Sequence, residues 1–178
     1  MHQIVTQIDI AASPERVWSI LLDFSTYPQW NPFIRSLSGV PKPGEKLRAT
    51  IQPEGRRVMT FRPKVLRATD QQELCWLGHL GFPGIFDGEH YFQLTMIGNG
   101  HTRFTQGEQF SGILVGMFLS SMEAATKAGF HAMNQALKNR AEINDHIGNA
   151  DADISQEEYR HEYPKTAAHR AGNPADKG

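Results

Sequence analysis

The chain has one cysteine, Cys75, among its 178 residues. That excludes an internal disulfide framework and any multi-cysteine metal site. It fits a reducing cytoplasm, where we expect the protein to act. No uninterrupted apolar run reaches the length of a transmembrane helix, and Asp9 breaks the N-terminal segment before it could serve as a secretion signal. Stable membrane insertion is therefore not expected. Neither sign of charge dominates: 18 Lys and Arg stand against 19 Asp and Glu, so no broad basic surface argues for nucleic acid. Eight histidines show no paired ligand spacing on one element, and no metal is expected. There is no Gly-rich phosphate loop and no Gly-x-Ser-x-Gly elbow; no cofactor is expected either.

What is present is apolar. At 39% apolar residues the chain can build a real core, and its length suits one domain plus an appendage. The most informative stretch runs from Ser13 to Phe33. Ser13 is a helix N-cap, Pro14 suits the first helical position, and Glu15 complements the helix dipole. Val17, Trp18, Leu21 and Leu22 then share a face. Pro28 and Pro32 interrupt the helical path on either side of Trp30. Trp30 and Phe33 are large apolar groups that need a pocket or a ligand to cover them.

The middle of the chain reads as strands. Short runs cover 35–40, 46–52, 57–68, 73–79, 90–97 and 102–112, after a first strand at 4–10. Pro63 inside the fourth run of these seven predicts a bulge or an edge. Gly98-Asn99-Gly100 predicts a hairpin turn. Helical periodicity from Leu114 to about Ile143 places Phe118, Met122, Ala125, Gly129, Met133 and Leu137 along one stripe. That helix would be about 45 Å long, enough to cross a whole sheet. Small residues at its middle allow close approach.

Beyond Ile147 the composition turns polar, and residues 148–178 read as a loose tail outside a domain at 1–147. A capping box at Ser155 and Glu158 leaves open a short helix over 154–163 that docks on a neighbouring subunit. A homodimer is compatible with this.

Three segments carry a resemblance: Ser-Pro-Glu-Arg-Val-Trp leading to Tyr-Pro-Gln-Trp-Asn-Pro-Phe at 13–33, Pro-Gly-Ile-Phe-Asp-Gly-Glu-His-Tyr-Phe at 83–92, and 102–112 followed by a long helix. Over roughly residues 3–143 the chain resembles the START-like, Bet v 1-type superfamily with its bacterial polyketide cyclase/dehydrase-like (SRPBCC) domains. The resemblance implies an α+β helix-grip fold: a curved seven-stranded antiparallel sheet around a long C-terminal helix, with two short helices after the first strand. It implies less about activity, because unrelated functions share one fold.

Alternation puts Phe104, Gln106, Glu108 and Phe110 on one strand face, and His90, Phe92, Leu94 and Met96 on one face of the preceding strand. A carboxylate, an imidazole and an amide would then point into an apolar interior. A Glu108–His90 pair there can be a structural pairing across strands, a ligand anchor, or a general acid/base. A one-residue slip at Gly88 or Gly107 would instead turn all of them to water.

The aromatic and Met set reads either as core or as the wall of a cavity for a hydrophobic small molecule. It comprises Trp30, Phe33, Trp76, Phe86, Phe92, Phe110, Phe118 and Met122, with Gln106 as a polar anchor. The resemblance favours a cavity for a lipid, a quinone or a polyketide-like molecule. Two alternatives stand beside binding: a cyclase or dehydratase using Glu108 and His90, and a protein-interaction module with an exposed apolar patch. The loop 81–86 is a hairpin connection or, by the resemblance, a gate. Cys75 alternates opposite to Leu74 and Trp76, with nothing to activate it. Lys42, Lys46, Arg48, Arg56, Arg57 and Arg62 read as a solvated basic face, open to an acidic partner.

Overall fold

A computed structural model describes residues 2–162 apart from Glu54, with side-chain surroundings given outside 118–121 and 144–162. Strand β1 (His2–Ile10) leads into helix α1 (Pro14–Leu22), a single 3-10 turn (Phe24–Thr26) and the short helix α2 (Tyr27–Trp30). The local chemistry is the expected one. Ser13 Oγ accepts from the Arg16 amide at 3.2 Å, and Pro14 opens the helix. Val17, Trp18, Ile20 and Leu21 are buried. Tyr27 is fully buried, and its hydroxyl donates to the Leu21 carbonyl at 2.8 Å. This bond ties α2 back onto the end of α1.

Eight strands follow the antiparallel pattern in two sheets, where the sequence predicts seven in one. The five-stranded sheet has the order β1-β8-β7-β6-β5, and the three-stranded sheet has the order β2-β3-β4. Strands β2 (Ile34–Ser38) and β3 (Arg48–Ile51) precede β4 (Met59–Phe61), β5 (Lys64–Thr69) and β6 (Glu73–His79). The long hairpin β7 (Asp87–Gly98) and β8 (His101–Ser111) completes the set.

The extra strand arises at Pro63. A proline cannot donate to a ladder, so the run 57–68 divides there into β4 and β5, which belong to different sheets. Backbone bonds bridge the break: the Leu47 amide donates to the Pro63 carbonyl at 2.9 Å, and Lys46 pairs with Lys64.

The β7–β8 register is continuous from Asp87–Ser111 to Met96–Thr102. The slip that Gly88 or Gly107 permits does not occur. The one irregularity lies beside the turn, where Gly98, Asn99 and Gly100 all have positive φ. The inward face predicted for β7 ends early: Leu94 is buried, whereas Met96 is 64% exposed.

Helix α3 (Val115–Glu162) covers the sheet with Phe130, Met133, Leu137 and Ala141, all fully buried. Gly129 is the point of close approach: a Cβ there would overlap the Phe33 ring. Polar bonds fix the helix against β1. Asn134 Nδ2 donates to Thr6 Oγ1 at 3.0 Å, and Lys138 Nζ donates to the Asp9 carbonyl at 2.7 Å. Glu142 accepts from the Ala11 amide at 2.7 Å.

The compact unit spans Met1–Asp145, and His146–Gly178 forms a second unit. Helical backbone runs to Glu162, past the end of the apolar periodicity at Ile143. The expectations of a loose tail and of a docking helix at 154–163 concern side chains and residues outside those described.

Candidate functional site

A cavity of about 120 Å³ opens between the inner face of the three-stranded sheet and the β6–β7–β8 end of the larger one. Each wall has a local cause. Asn31, itself buried, accepts from the amides of Phe33 (3.0 Å) and Ile34 (2.8 Å). That turn follows α2 and sends the Phe33 ring inward against Phe130, with centroids 5.4 Å apart. Ala49, Ile51, Met59 and Phe61 supply the wall from β3 and β4. Trp76 comes from β6, and Phe86 and Phe110 approach each other at 5.5 Å.

His90 and Glu108 are directly opposed residues of β7 and β8. Both line the cavity. The His90 ring is held on three sides: stacked on Trp76 at 4.8 Å, and edge-on to Phe92 (5.0 Å) and Phe130 (5.3 Å). Its Nδ1 lies 3.7 Å from Glu108 Oε2, too long for a hydrogen bond but close enough for charge pairing. The Glu108 carboxylate lies over Gly88, on the space a Cβ would take. Glycine at position 88 is therefore what lets the carboxylate lie flat against β7.

On the inner side, Gln106 Nε2 is 3.4 Å from His90 Nε2 and 3.4 Å from Met133 Sδ, while its Oε1 is buried with no partner. The imidazole thus sits between a carboxylate at the cavity wall and an amide in the core.

Of the residues the sequence singles out, Phe33, Trp76, Phe86, His90, Glu108, Phe110 and Met122 come together around this cavity. Three do not reach its wall. Phe92 is fully buried beneath Trp76, and Gln106 lies one layer deeper than Glu108. Trp30 packs on Tyr27 at 5.1 Å, at the α2 end of the core. Phe92 and Gln106 do point inward, and their depth along the strand keeps them from the cavity; Trp30, at the end of α2, lies before the turn at Asn31 that sends Phe33 inward. The Phe118 side chain lies outside the described residues.

Sequence reasoning missed Ile34, Pro53, Leu80, His79 and Thr126, which also line it. The inward alternation of Ala49, Ile51, Met59 and Phe61 was the available signal for the β3–β4 wall.

The loop after β6 is pinned from one end. Asp87 accepts from His79 Nδ1 at 2.6 Å and from the Gly84 amide at 2.9 and 3.1 Å. The His79 hydrogen bond, assisted by the Gly84 amide, holds the Asp87 carboxyl below its usual value. Phe86 is buried in the cavity wall while Phe82 is 76% exposed. Further bonds from the amides of Ile113 and Leu114 to Gly84 and Ile85 join this loop to the start of α3.

On the outer face of the same strands, Cys75 is buried under Arg67, Glu73 and Glu89. Burial first, then the hydrogen bond to Glu89, pushes its thiol up to about 12. It is not a nucleophile at neutral pH.

No helix among the described residues is long and apolar enough to cross a membrane. Solved structures of the same fold include the Zhui aromatase/cyclase from a Streptomyces species, with 14% identity, a TM-score of 0.65, and coverage of 79% of this chain and 93% of that one. A START superfamily protein from Mycobacterium smegmatis matches at 22% identity and a TM-score of 0.61, covering 80% of this chain and 99% of that one. Norcoclaurine synthase from Thalictrum flavum matches at 13% identity and a TM-score of 0.62, covering 81% and 96%. At these identities the likeness is one of fold. Among curated proteins, none matches the sequence. The family described as polyketide cyclase/dehydrase and lipid transport matches residues 1–142, so the eight strands, α3 up to residue 142 and the cavity all lie in the matched region, and the chain belongs to that family.

Proposed function

We propose that the protein binds an apolar, ring-bearing small molecule in the cavity between the two sheets. The observation that carries this is the lining: aromatic and aliphatic walls broken by few polar groups, among them His90 and Glu108. Apolar sites with a few convergent polar groups are the usual form of small-molecule sites. Size narrows the ligand. A cavity of roughly 150 Å³ takes up one benzene ring, and drug-sized molecules need roughly 300–1,000 Å³. At about 120 Å³ the cavity takes one ring or a short chain end, and a larger quinone, lipid or polyketide would leave its remainder in the mouth. Phe33, Trp76, Phe86, Phe110 and Met122 would hold the ring, with His90 and Glu108 bonding its polar substituent.

A variant with Trp18→Phe and Trp30→Phe leaves Trp76 as the sole tryptophan. Its emission should be quenched saturably by phenol or 1-naphthol. Filling the wall with Ala49→Leu should abolish the response. An equal response in the filled variant, or none in the parent, removes the cavity from the binding reading. Native mass spectrometry of the purified protein then reads the natural occupant, as a non-covalent adduct lost on denaturation.

A second reading, a cyclase or dehydratase of the kind the family description includes, is favoured by the His90–Glu108 juxtaposition. A carboxylate with an imidazolium 3.7 Å away could take a proton from a carbon next to a ligand carbonyl while the imidazolium gives its proton to the departing hydroxyl, which leaves as water; the proton on the carboxyl would then pass to the imidazole and restore the pair. Glu108→Gln should then abolish turnover of a cyclisable polyketide-like substrate while sparing the Trp76 response. Turnover surviving in this variant removes Glu108 as the base.

The protein-interaction reading draws support from the exposed Leu80, Phe82, Ile113 and Met117. Phe82→Ser would then impair capture of a partner that Ala49→Leu leaves intact.

A further inference from the structure

A second cleft, of about 440 Å³, lies between α1, the turn after it, and α3, and its chemistry is the opposite of the first. Arg16 and Arg140 line it together with Asp23, and Ile20 and Ile143 form apolar shoulders. Among the described residues, neither guanidinium has a hydrogen-bond or ion-pair partner, and Arg16 Nε is buried without one. A buried donor left unbonded is costly.

The hydroxyls in the cleft, and one oxygen of Asp23, are already committed. Ser19 Oγ donates to the Arg16 carbonyl at 2.8 Å, and Thr26 Oγ1 donates to the Asp23 carbonyl at 3.0 Å. Asp23 Oδ1 accepts from Ser25 Oγ at 2.5 Å. The donors left facing the cleft are therefore the guanidinium N–H groups, and two cations outweigh one carboxylate.

We propose that this cleft is an anion site, in which Arg16 and Arg140 together clamp a multivalent oxyanion. Guanidinium forks match planar carboxylates and tetrahedral phosphates in bidentate fashion, and two forks on opposite elements favour a dianion. Binding at the guanidinium N–H groups that reach the cleft would cross-link α1 to α3. The chemistry is shared by phosphate groups and dicarboxylates, and the experiment separates them. The site is independent of the apolar cavity, since none of its lining residues occurs there.

The test is an NMR titration of the arginine Nε–Hε resonances with sodium phosphate and, separately, sodium succinate. Sodium chloride at matched ionic strength is the reference. The expected result is a saturable shift confined to Arg16 and Arg140, by phosphate for a phosphate-bearing ligand or by succinate for a dicarboxylate. Arg16→Gln and Arg140→Gln should each weaken the affinity about tenfold or more, the loss expected for one charge-assisted hydrogen-bonded pair. Shifts spread alike over the surface arginines, no saturable shift with either anion, or unchanged affinity in both variants would overturn the site. Should either variant fail to fold, the two wild-type resonances still decide the matter.

Discussion

Strands β6, β7 and β8 present two faces that handle polar groups in opposite ways. On the outer face, Arg67 donates to Glu73 at 2.9 and 3.3 Å, to Glu89 at 2.9 Å and to the Cys75 sulfur at 3.2 Å. Gln93 completes the group by donating to Glu73 at 3.3 Å. Arg67, Glu73, Glu89, Cys75 and Gln93 are there spent on one another. On the inner face the His90–Glu108 separation is 3.7 Å and Gln106 Oε1 has no partner. Buried polar groups are normally satisfied. Where they are not and the group reaches the cavity wall, as His90 and Glu108 do, a ligand can use the unspent bonding capacity; Gln106 lies too deep to be reached. The outer face is a finished structure, and the inner one leaves bonding capacity unspent, which is what the proposed binding would use.

The largest difference should come from adjacent residues on the two faces. Trp76 is buried against His90 and Phe92, so Trp76→Ala should cost about 3–5 kcal/mol. Cys75→Ala next to it removes one sulfur and should cost about 1 kcal/mol. Urea denaturation of both variants checks this. Comparable losses would mean that the outer network, not the aromatic stack, holds the sheet.

Each face also has a glycine under a neighbour's side chain. A Cβ at Gly107 would overlap the Tyr91 ring, a rigid obstacle whose hydroxyl is fixed by Gln3 at 2.9 Å. A Cβ at Gly88 would meet only the far end of Glu108. Gly107→Ala should therefore cost about 1–3 kcal/mol. Gly88→Ala should cost less than about 1 kcal/mol, and its effect should fall on ligand affinity as the carboxylate is pushed off β7. If Gly88→Ala changed stability alone, Glu108 would have no part in binding.

This contrast also separates what was legible in the sequence from what was not. The cap at Ser13, the hairpin at Gly98 to Gly100 and the strand faces of 104–110 follow from local rules of propensity and alternation, and each is found where those rules put it. The division at Pro63 was visible as a break, but not that the two halves join different sheets, because strand partners are chosen by non-local packing. Depth was not legible either. Phe92 and Trp76 alternate identically, yet one is core and the other wall, because Phe92 is packed among Trp76, His90 and Phe104. Arg16 and Arg140 are ordinary helix-surface residues in sequence and come to line one cleft only in the fold.

A smaller effect is expected at the cavity's edge. The Asp87 carboxyl, held below its usual value by His79, favours the folded loop above the carboxylate range. A folded-state value below the unfolded one means that this contribution is present above about pH 4 and is lost as pH falls through the lowered value. The protection of the Gly84 amide, its exchange rate read against that of an unstructured amide at the same pH, should therefore fall in acid. Asp87→Asn should show the lower protection already at pH 7. Unchanged exchange in that variant would mean that the Ile113 and Leu114 bonds alone secure the loop.

The smallest effect should come from the most conspicuous ion pairs. The Arg67 side chain is 47% exposed, so its bonds to Glu73 and Glu89 compete with water and are screened by salt. Arg67→Ala should cost at most about 1 kcal/mol, and less as salt is raised. It also removes the guanidinium from beside Cys75, leaving the thiol next to two carboxylates. Thiolate formation then becomes still less favourable, so labelling of Cys75 by a thiol reagent should not speed up at pH 8 unless the strand itself opens. Faster labelling at unchanged global stability would locate the opening at β5, the edge strand that Arg67 ties to the sheet. The outer network would then act as a latch on that edge rather than as a source of stability.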